Sequence, residues 1–139
     1  MDLNAAATGL DITIRIGSYE DMAGTDIVVM AAGAPTPAAK SRLEMLPLNL
    51  AIVKENAEKI NRFCPNAIVI TETNLADSLN YMSYLLSQSR DRRKYIGYSP
   101  SDSIRFRQNF ASALDTKASR IQGKVMGEHG DSQFCSSVP

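Results

Sequence analysis

Two short, continuous apolar runs constrain the fold of this chain more than any other feature of its sequence. The first, Asp26–Ala32 (DIVVMAA), leads into Gly33-Ala34-Pro35, and the second is Ala67–Thr71 (AIVIT). Apolar runs of this length, bounded by turn residues, are typical of strands that are covered on both faces, as in parallel sheets. The sequence therefore predicts an α/β fold that is built on a parallel sheet.

The segments between and after these runs have the apolar spacing of helices. The first helix is predicted from apolar residues that recur at alternating steps of four and three and so share one face: Leu46, Leu50, Val53, Ala57, Ile60 and Cys64. Pro47 should kink or restart this helix, because proline removes a backbone donor, and Pro65 should end it. A second helix is predicted over Leu75–Leu86.

A third helix is predicted from a capping signal. Ser99 is the expected N-cap, with Pro100 at the first helical position and Asp102 three residues after the cap. This helix should run to about Leu114. Its buried residues are predicted to be Phe106, Phe110 and Ala113.

Three further segments are predicted strands. Ile12–Ile16 alternates apolar and polar residues, as a half-exposed strand does. Tyr95–Gly97 is a candidate core strand, and Lys124–Met126 is a short strand near the end of the chain. Strands that alternate with helices again favour a parallel α/β sheet.

Composition excludes several classes of partner. Fifteen basic and fifteen acidic residues cancel, which argues against nucleic acid and against an anionic membrane. Cys64, Cys135 and the single histidine give too few ligands for a zinc site, so no metal is expected. We expect no secretion signal, because the first residues lack a basic start followed by an apolar run, and no stretch approaches a membrane span in length. We expect a soluble, cytoplasmic protein with free thiols.

A histidine between glycines is the most conspicuous candidate for chemistry. The run Gly127-Glu128-His129-Gly130-Asp131 follows the last predicted strand. Ligands bind at the carboxyl ends of parallel strands, and imidazole titrates near neutrality, so His129 suits acid–base catalysis. An exposed turn histidine without a function explains the motif alone equally well.

Other candidate groups lie at three places. Asp102 and Arg105 share one helix face, where a guanidinium can hold a carboxylate and an aspartate can orient a histidine. Arg42 follows a loop of small residues that could close over a substrate, and Asn74 follows a predicted strand. A cap, solvated arginines and a turn asparagine are the alternative explanations.

Taken in order, these motifs resemble the lactate/malate dehydrogenase family along nearly the whole chain. The similar runs are DIVVMAAGAPTPAAKSR, LPLN, AIVITETN, DSIRFR and GEHGDS. The resemblance implies a partial Rossmann-type NAD-binding domain over residues 1–97 and the start of the α/β substrate domain over 98–139. It also implies NAD as the cofactor, a small 2-hydroxy or 2-oxo acid as the substrate, and a homo-oligomer.

The resemblance also assigns roles to single residues. His129 would exchange a proton with the substrate oxygen, and Asp102 would orient His129 and stabilise its charged form. Arg105 would anchor the substrate carboxylate, while Arg42 would polarise the reacting carbonyl. The remaining implied contacts are Thr36 and Asn74 with the substrate, and Gly33, Asn49 and Asn74 with the cofactor.

The sequence departs from the family in three respects. It holds no Gly-rich phosphate loop and no acidic strand end to bind the ribose, so we expect it to begin after both and to expose apolar sheet edges. Thr36 stands where malate enzymes of the family carry arginine and lactate enzymes glutamine, and threonine cannot neutralise a second carboxylate. Leu75 stands where the family usually has proline.

Three functions remain open from the sequence. The first is an NAD-dependent dehydrogenase that interconverts malate and oxaloacetate or lactate and pyruvate. The second is a catalytically inactive remnant that acts as a small α/β binding or interaction module. The third is a small-anion binding protein that uses Arg105 and Arg42 without redox chemistry.

Overall fold

A three-stranded parallel sheet organises the fold. The structure, a computed structural model, describes residues 7, 9–35, 42–127 and 132–136. Strands β1 (Ile27–Met30), β2 (Ile68–Thr71) and β3 (Tyr95–Gly97) are hydrogen-bonded in the order β1-β2-β3. Met30 pairs with Thr71, which in turn pairs with Gly97. The predicted α/β class and all three of these strands are confirmed.

Two helices connect the three strands. Helix α1 (Leu46–Phe63) follows a 3-10 helix, Arg42–Met45, and helix α2 (Ala76–Leu86) joins β2 to β3. Pro47 lies in the first turn of α1, where a backbone N–H would have no partner within the helix, so the helix restarts there as predicted. The helix ends before Pro65, also as predicted.

The core lies between these helices and one face of the sheet. One buried cluster joins Met30, Val53 and Leu79 from β1, α1 and α2. A second cluster contains Ile60, Cys64, Ala67 and Val69. Both cysteines are free, and burial raises the pKa of the Cys64 thiol. The predicted apolar face of α1 is confirmed, because it supplies residues to both clusters.

The opposite face of the sheet is open, which corrects the prediction that β1 is buried on both sides. Ile27 and Val29 alternate with the buried side of β1 and are 55% and 57% exposed. Ile68 and Ile96 on the neighbouring strands are exposed as well. We call these four residues the open sheet face. The sequence predicted exposed apolar edges of the sheet, whereas these exposed apolar residues lie on one of its faces.

The prediction of a strand at Ile12–Ile16 is wrong. This segment has no regular secondary structure, and Ile16 is fully exposed. A strand persists only where its backbone groups are paired, and no strand in the described ranges pairs with this one. Alternation of apolar and polar residues is therefore insufficient here.

Helix α3 (Ser101–Ala113) forms where predicted, but its start and its packing differ. Pro100 occupies the N-cap in a helical conformation without a side-chain cap, so Ser99 is not the N-cap. Phe110 and Ala113 are exposed, whereas Ala111 is buried. The reason is that α3 packs mainly on the strand Lys124–Met126 and on the 3-10 helix Ala118–Arg120. These two short elements cover only a narrow stripe of the helix.

A short antiparallel pair of strands completes the described fold. The predicted strand β4 (Lys124–Met126) is confirmed, and it pairs with β5 (Phe134–Ser136), which the sequence did not predict. The chain segment that contains the histidine motif connects these two strands. None of the helices in the described ranges combines the length and the apolar character that crossing a bilayer requires.

Candidate functional site

Asn74 lies where two cavities meet at the carboxyl end of β2. The first, which we call the Asp102 cavity, has a volume of about 330 Å³ and is lined by Asp102, Asp77 and Gln133 among others. The second, the Arg105 cavity, has a volume of about 450 Å³ and is lined in part by Arg105. Asn74 lines both. The structure thus brings three predicted site residues together at one edge of the sheet.

Asp102 and Arg105 contact each other on the first turns of α3. Nη1 of Arg105 donates to Oδ1 of Asp102 at 3.2 Å. The Arg105 side chain remains 69% exposed, and a guanidinium carries five N–H donors, so this contact leaves capacity to bind a carboxylate. Asp77 also lines the Asp102 cavity, so two acidic residues contribute to its lining.

Ser103 fixes strand β4 against this part of α3. Its hydroxyl accepts the backbone N–H of Val125 at 3.0 Å. Gly127 and Gln133, which flank the histidine motif, both line the Asp102 cavity. His129 itself lies outside the described residues, so its predicted role is not tested.

A hydrogen-bonded tie holds the end of β1 next to the end of β2. The Asn49 side chain on α1 accepts the Ala34 N–H at 2.8 Å through Oδ1 and donates from Nδ2 to the Asn74 carbonyl at 2.6 Å. Gly33, predicted to approach the cofactor, is exposed beside this tie. A Cβ on Gly33 would lie 3.4 Å from the Thr73 methyl group, which is ordinary contact. The cofactor roles of Gly33 and Asn49 stay predictions.

Arg42, Thr36 and Leu75 are the remaining positions that the sequence analysis singled out. Arg42 is the first residue of the 3-10 helix Arg42–Met45, and the prediction for its side chain falls outside the described part of the chain. Thr36 also lies outside the described residues. Leu75, at the position where the family usually has proline, serves as the N-cap of α2, and its peptide bond with Asn74 is cis. Among the residues that the structure describes, no group of three potential ligands could hold a metal ion.

Three residues at the site were missed by sequence reasoning. Ser99 lines both cavities, although its position before Pro100 indicated a helix cap. Gln133 lines the Asp102 cavity, and its place two residues after the GEHGD run was an available signal. Thr73 donates from its hydroxyl to the Ala32 carbonyl at 2.7 Å, a contact that no local pattern reveals.

The fold and the position of the site agree with a sequence match to a known family. Residues 1–97 match the family model described as lactate/malate dehydrogenase, NAD binding domain. This chain therefore belongs to the lactate/malate dehydrogenase family, which confirms the resemblance. The match also agrees with NAD as the predicted cofactor.

Individual relatives support the same assignment. The chain is 33% identical to L-lactate dehydrogenase 1 of Clostridium acetobutylicum over 98% of its length and 44% of the relative's. It is 35% identical to malate dehydrogenase 1 of Aquifex aeolicus, over 94% of this chain and 39% of that one. The chain thus spans about two fifths of the length of these relatives. One of them is named as a lactate dehydrogenase and the other as a malate dehydrogenase.

Solved structures confirm the Rossmann-type α/β fold. The malate dehydrogenase from Aeropyrum pernix matches with a TM-score of 0.83 and 33% identity, over 96% of this chain and 44% of that one. The lactate dehydrogenase from Cryptosporidium parvum, complexed with lactic acid and β-nicotinamide adenine dinucleotide, matches with a TM-score of 0.77 and 30% identity. That match covers 88% of this chain and 40% of the other.

Proposed function

We propose that this chain carries the reacting centre of an NAD-dependent oxidoreductase that interconverts a small 2-hydroxy acid and its 2-oxo acid. Relatives named lactate and malate dehydrogenase make lactate/pyruvate and malate/oxaloacetate the two candidate pairs. The observation that carries the proposal is the position of Asn74 between two cavities, one lined by Asp102 and the other by Arg105.

Residues of the two cavities would have different roles towards a 2-oxo acid. Arg105 would bind the carboxylate through parallel hydrogen bonds, and the Asn74 amide would contact the reacting oxygen. His129 follows Gly127 by two residues and is the proposed donor of a proton to that oxygen. Asp102 would hold the imidazole and stabilise its charged form, while Arg42 would polarise the carbonyl.

The residues at the end of β1 and β2 fit the nicotinamide end of NAD. Gly33 is exposed and carries no side chain, and Asn74 offers an amide that both donates and accepts hydrogen bonds. NAD supplies hydride-transfer chemistry when bound. We retain Asn49 as a cofactor-site residue that acts through the backbone of Ala34 and Asn74, with which it is hydrogen-bonded.

Substrate choice and domain division remain part of the proposal. Thr36 offers no positive charge for a second carboxylate, which favours lactate/pyruvate over malate/oxaloacetate. The family match ends at residue 97, the last residue of β3, and we place the start of the substrate domain after it. Assembly into a homo-oligomer is a further prediction.

Ligand binding tests the proposal and separates it from its alternatives. NADH and oxamate are titrated alone and together against the 139-residue chain, by NADH fluorescence and by calorimetry. We expect both compounds to bind, and Arg105→Lys to weaken oxamate binding at least about tenfold, since an ammonium cannot reproduce the bidentate contact. Arg107→Lys is the matched control, because Arg107 is on the same helix but is not among the residues that line either cavity.

Each alternative predicts a different result in the same experiment. Oxamate binding by protein that does not bind NADH would support the small-anion binding protein, a function that the exposed Arg105 side chain favours. Binding of neither compound by folded protein would contradict the dehydrogenase and support the interaction module, which the open sheet face favours. His129→Gln should abolish turnover and leave NADH binding nearly unchanged; a variant that keeps most of its activity would remove His129 from the mechanism.

A further inference from the structure

The Asn49 side chain is committed to backbone groups at both ends of its amide. It is only 4% exposed, although asparagine is usually a surface residue. Its Oδ1 accepts from the Ala34 N–H, and its Nδ2 donates to the Asn74 carbonyl. Because one partner can only donate and the other can only accept, the orientation of the amide is fixed by its partners.

The two backbone segments that Asn49 joins lie beyond the end of the sheet ladder. The last paired residues of β1 and β2 are Met30 and Thr71. Beyond this pair the backbone N–H groups of Glu72 and Thr73 both donate to the Met30 carbonyl. Side chains make further contacts: the Thr73 hydroxyl donates to the Ala32 carbonyl, and Asn49 spans Ala34 and Asn74. Beyond Met30, the two chains are therefore joined by the side chain of Thr73, just after β2, and by that of Asn49 on α1.

Helix α1 gives this contact a rigid base. Val53, one turn after Asn49, is fully buried in the cluster with Met30 and Leu79. The helix cannot shift along the sheet without disturbing that cluster, because close-packed interiors transmit displacement. Asn49 thus relates the site directly to the core.

We propose that Asn49 is a positioning residue that fixes Asn74, together with the segment Gly33-Ala34, so that the Asn74 amide faces both cavities. This inference rests on the proposed function only for the role of Asn74 in catalysis. The hydrogen-bonded tie itself is a property of the fold. Structural measurements therefore test the hydrogen bonds of Asn49, and kinetic measurements separately test the role of Asn74 in catalysis.

The same helix contains a matched control. Asn61, twelve positions after Asn49, donates from Nδ2 to the Leu86 carbonyl at 2.9 Å and accepts the Gln88 N–H at 3.0 Å. It makes the same pair of side-chain-to-backbone contacts at the far end of α2, away from both cavities. Asn61→Ala consequently removes equivalent hydrogen bonds without touching the site.

Amide hydrogen exchange and NMR chemical shifts test the tie in the 139-residue chain. In Asn49→Ala the Ala34 amide should exchange about tenfold faster, the effect of losing one hydrogen bond, and the side-chain amide signal of Asn74 should move. Asn49→Asp keeps an acceptor for Ala34 but loses the donor to Asn74, so it should restore the protection of Ala34 and not the Asn74 signal. Asn61→Ala should change neither.

A measurement on the unmodified chain tests the Asn49 hydrogen bonds even if the variants do not fold. The side-chain amide protons of Asn49 should exchange more slowly than those of Asn56, which is less buried on the same helix. Equal exchange rates would overturn the proposal. So would an Asn74 signal that is unmoved in Asn49→Ala.

Kinetics separate positioning from general stability. Asn49→Ala should lower kcat per folded molecule roughly tenfold to a hundredfold, the usual range for a displaced reacting group, with a smaller change in KM for NADH. Asn61→Ala should leave kcat unchanged. If the tie is confirmed by exchange but no protein turns over substrate, the proposed function fails and the positioning of Asn74 stands. If the unmodified chain is active and Asn49→Ala keeps its kcat, the positioning role is wrong and the dehydrogenase assignment stands.

Discussion

Leu79→Ala should destabilise this fold more than any comparable change on its surface. Leu79 is completely buried between Met30 of β1 and Val53 of α1. Truncation to alanine removes the buried methyl groups and leaves a cavity, which costs about 2–5 kcal/mol in well-packed cores. Two neighbours of the cluster, Leu46 and Leu50, are only partly buried and can relax into the space. We therefore expect a loss of about 3 kcal/mol, near the middle of the range.

Urea unfolding followed by circular dichroism measures this loss. Leu48→Ala is the matched control, because Leu48 lies in the first turn of α1 and is 57% exposed. Its truncation should cost less than about 1 kcal/mol, since little apolar surface returns to water. Equal costs for the two variants would refute the placement of Leu79 in the core. Because α2 begins two residues after Asn74, the Leu79 variant should also disturb the site.

Three further changes test other contacts. Thr73→Val removes the hydroxyl that donates to a carbonyl after β1 and should lower the free energy of unfolding by about 1 kcal/mol; a more stable variant would contradict that contact. The Arg93 guanidinium, hydrogen-bonded to Asp91, lowers the pKa of that carboxyl from 3.8 to about 2. The stabilising effect of the ionised Asp91 should be present above pH 3.8 and lost as the pH falls through about 2. In Arg93→Ala, an NMR titration should show the Asp91 pKa moving back towards 3.8. An unchanged pKa would exclude the pairing. Gly123→Ala places a Cβ 2.6 Å from the Phe106 ring, so thermal unfolding should show a loss of about 1–2 kcal/mol, and a neutral result would mean that the ring moves freely.

The parts of the fold that local sequence determines were predictable. The apolar runs that became β1 and β2 are bounded by Gly and Pro, and the spacing on α1 follows the helical period. Pro47 and Pro65 mark the ends of that helix, because proline restricts where a helix begins and ends. These signals need no knowledge of distant residues.

Features that depend on distant partners were not predictable in this way. An isoleucine on β1 has the same local pattern whether its face is covered or open, so Ile27 was expected inside and is exposed. Ile12–Ile16 alternates like a strand but has no paired strand in the described ranges. The Ser99 cap failed because Pro100 adopts the helical conformation at the N-cap itself.

In the site, too, contacts within one helix were predictable and contacts between distant segments were not. Asp102 and Arg105 were expected to share a helix face because they are three residues apart, and they contact each other. Asn49 was assigned through family resemblance alone. Its bonds to Ala34 and Asn74 join positions 15 and 25 residues away, which no periodicity reveals.

Oxidation of NADH by the purified, folded chain is the decisive test of the proposed dehydrogenase activity. Pyruvate and oxaloacetate are offered separately, with NADH raised to millimolar concentrations, and the loss of NADH absorbance is followed. We expect turnover that depends on His129 and on Arg105, with pyruvate preferred because Thr36 carries no charge. Absence of turnover with either acid, from protein whose folding is verified, would contradict the proposal that this chain acts as a dehydrogenase.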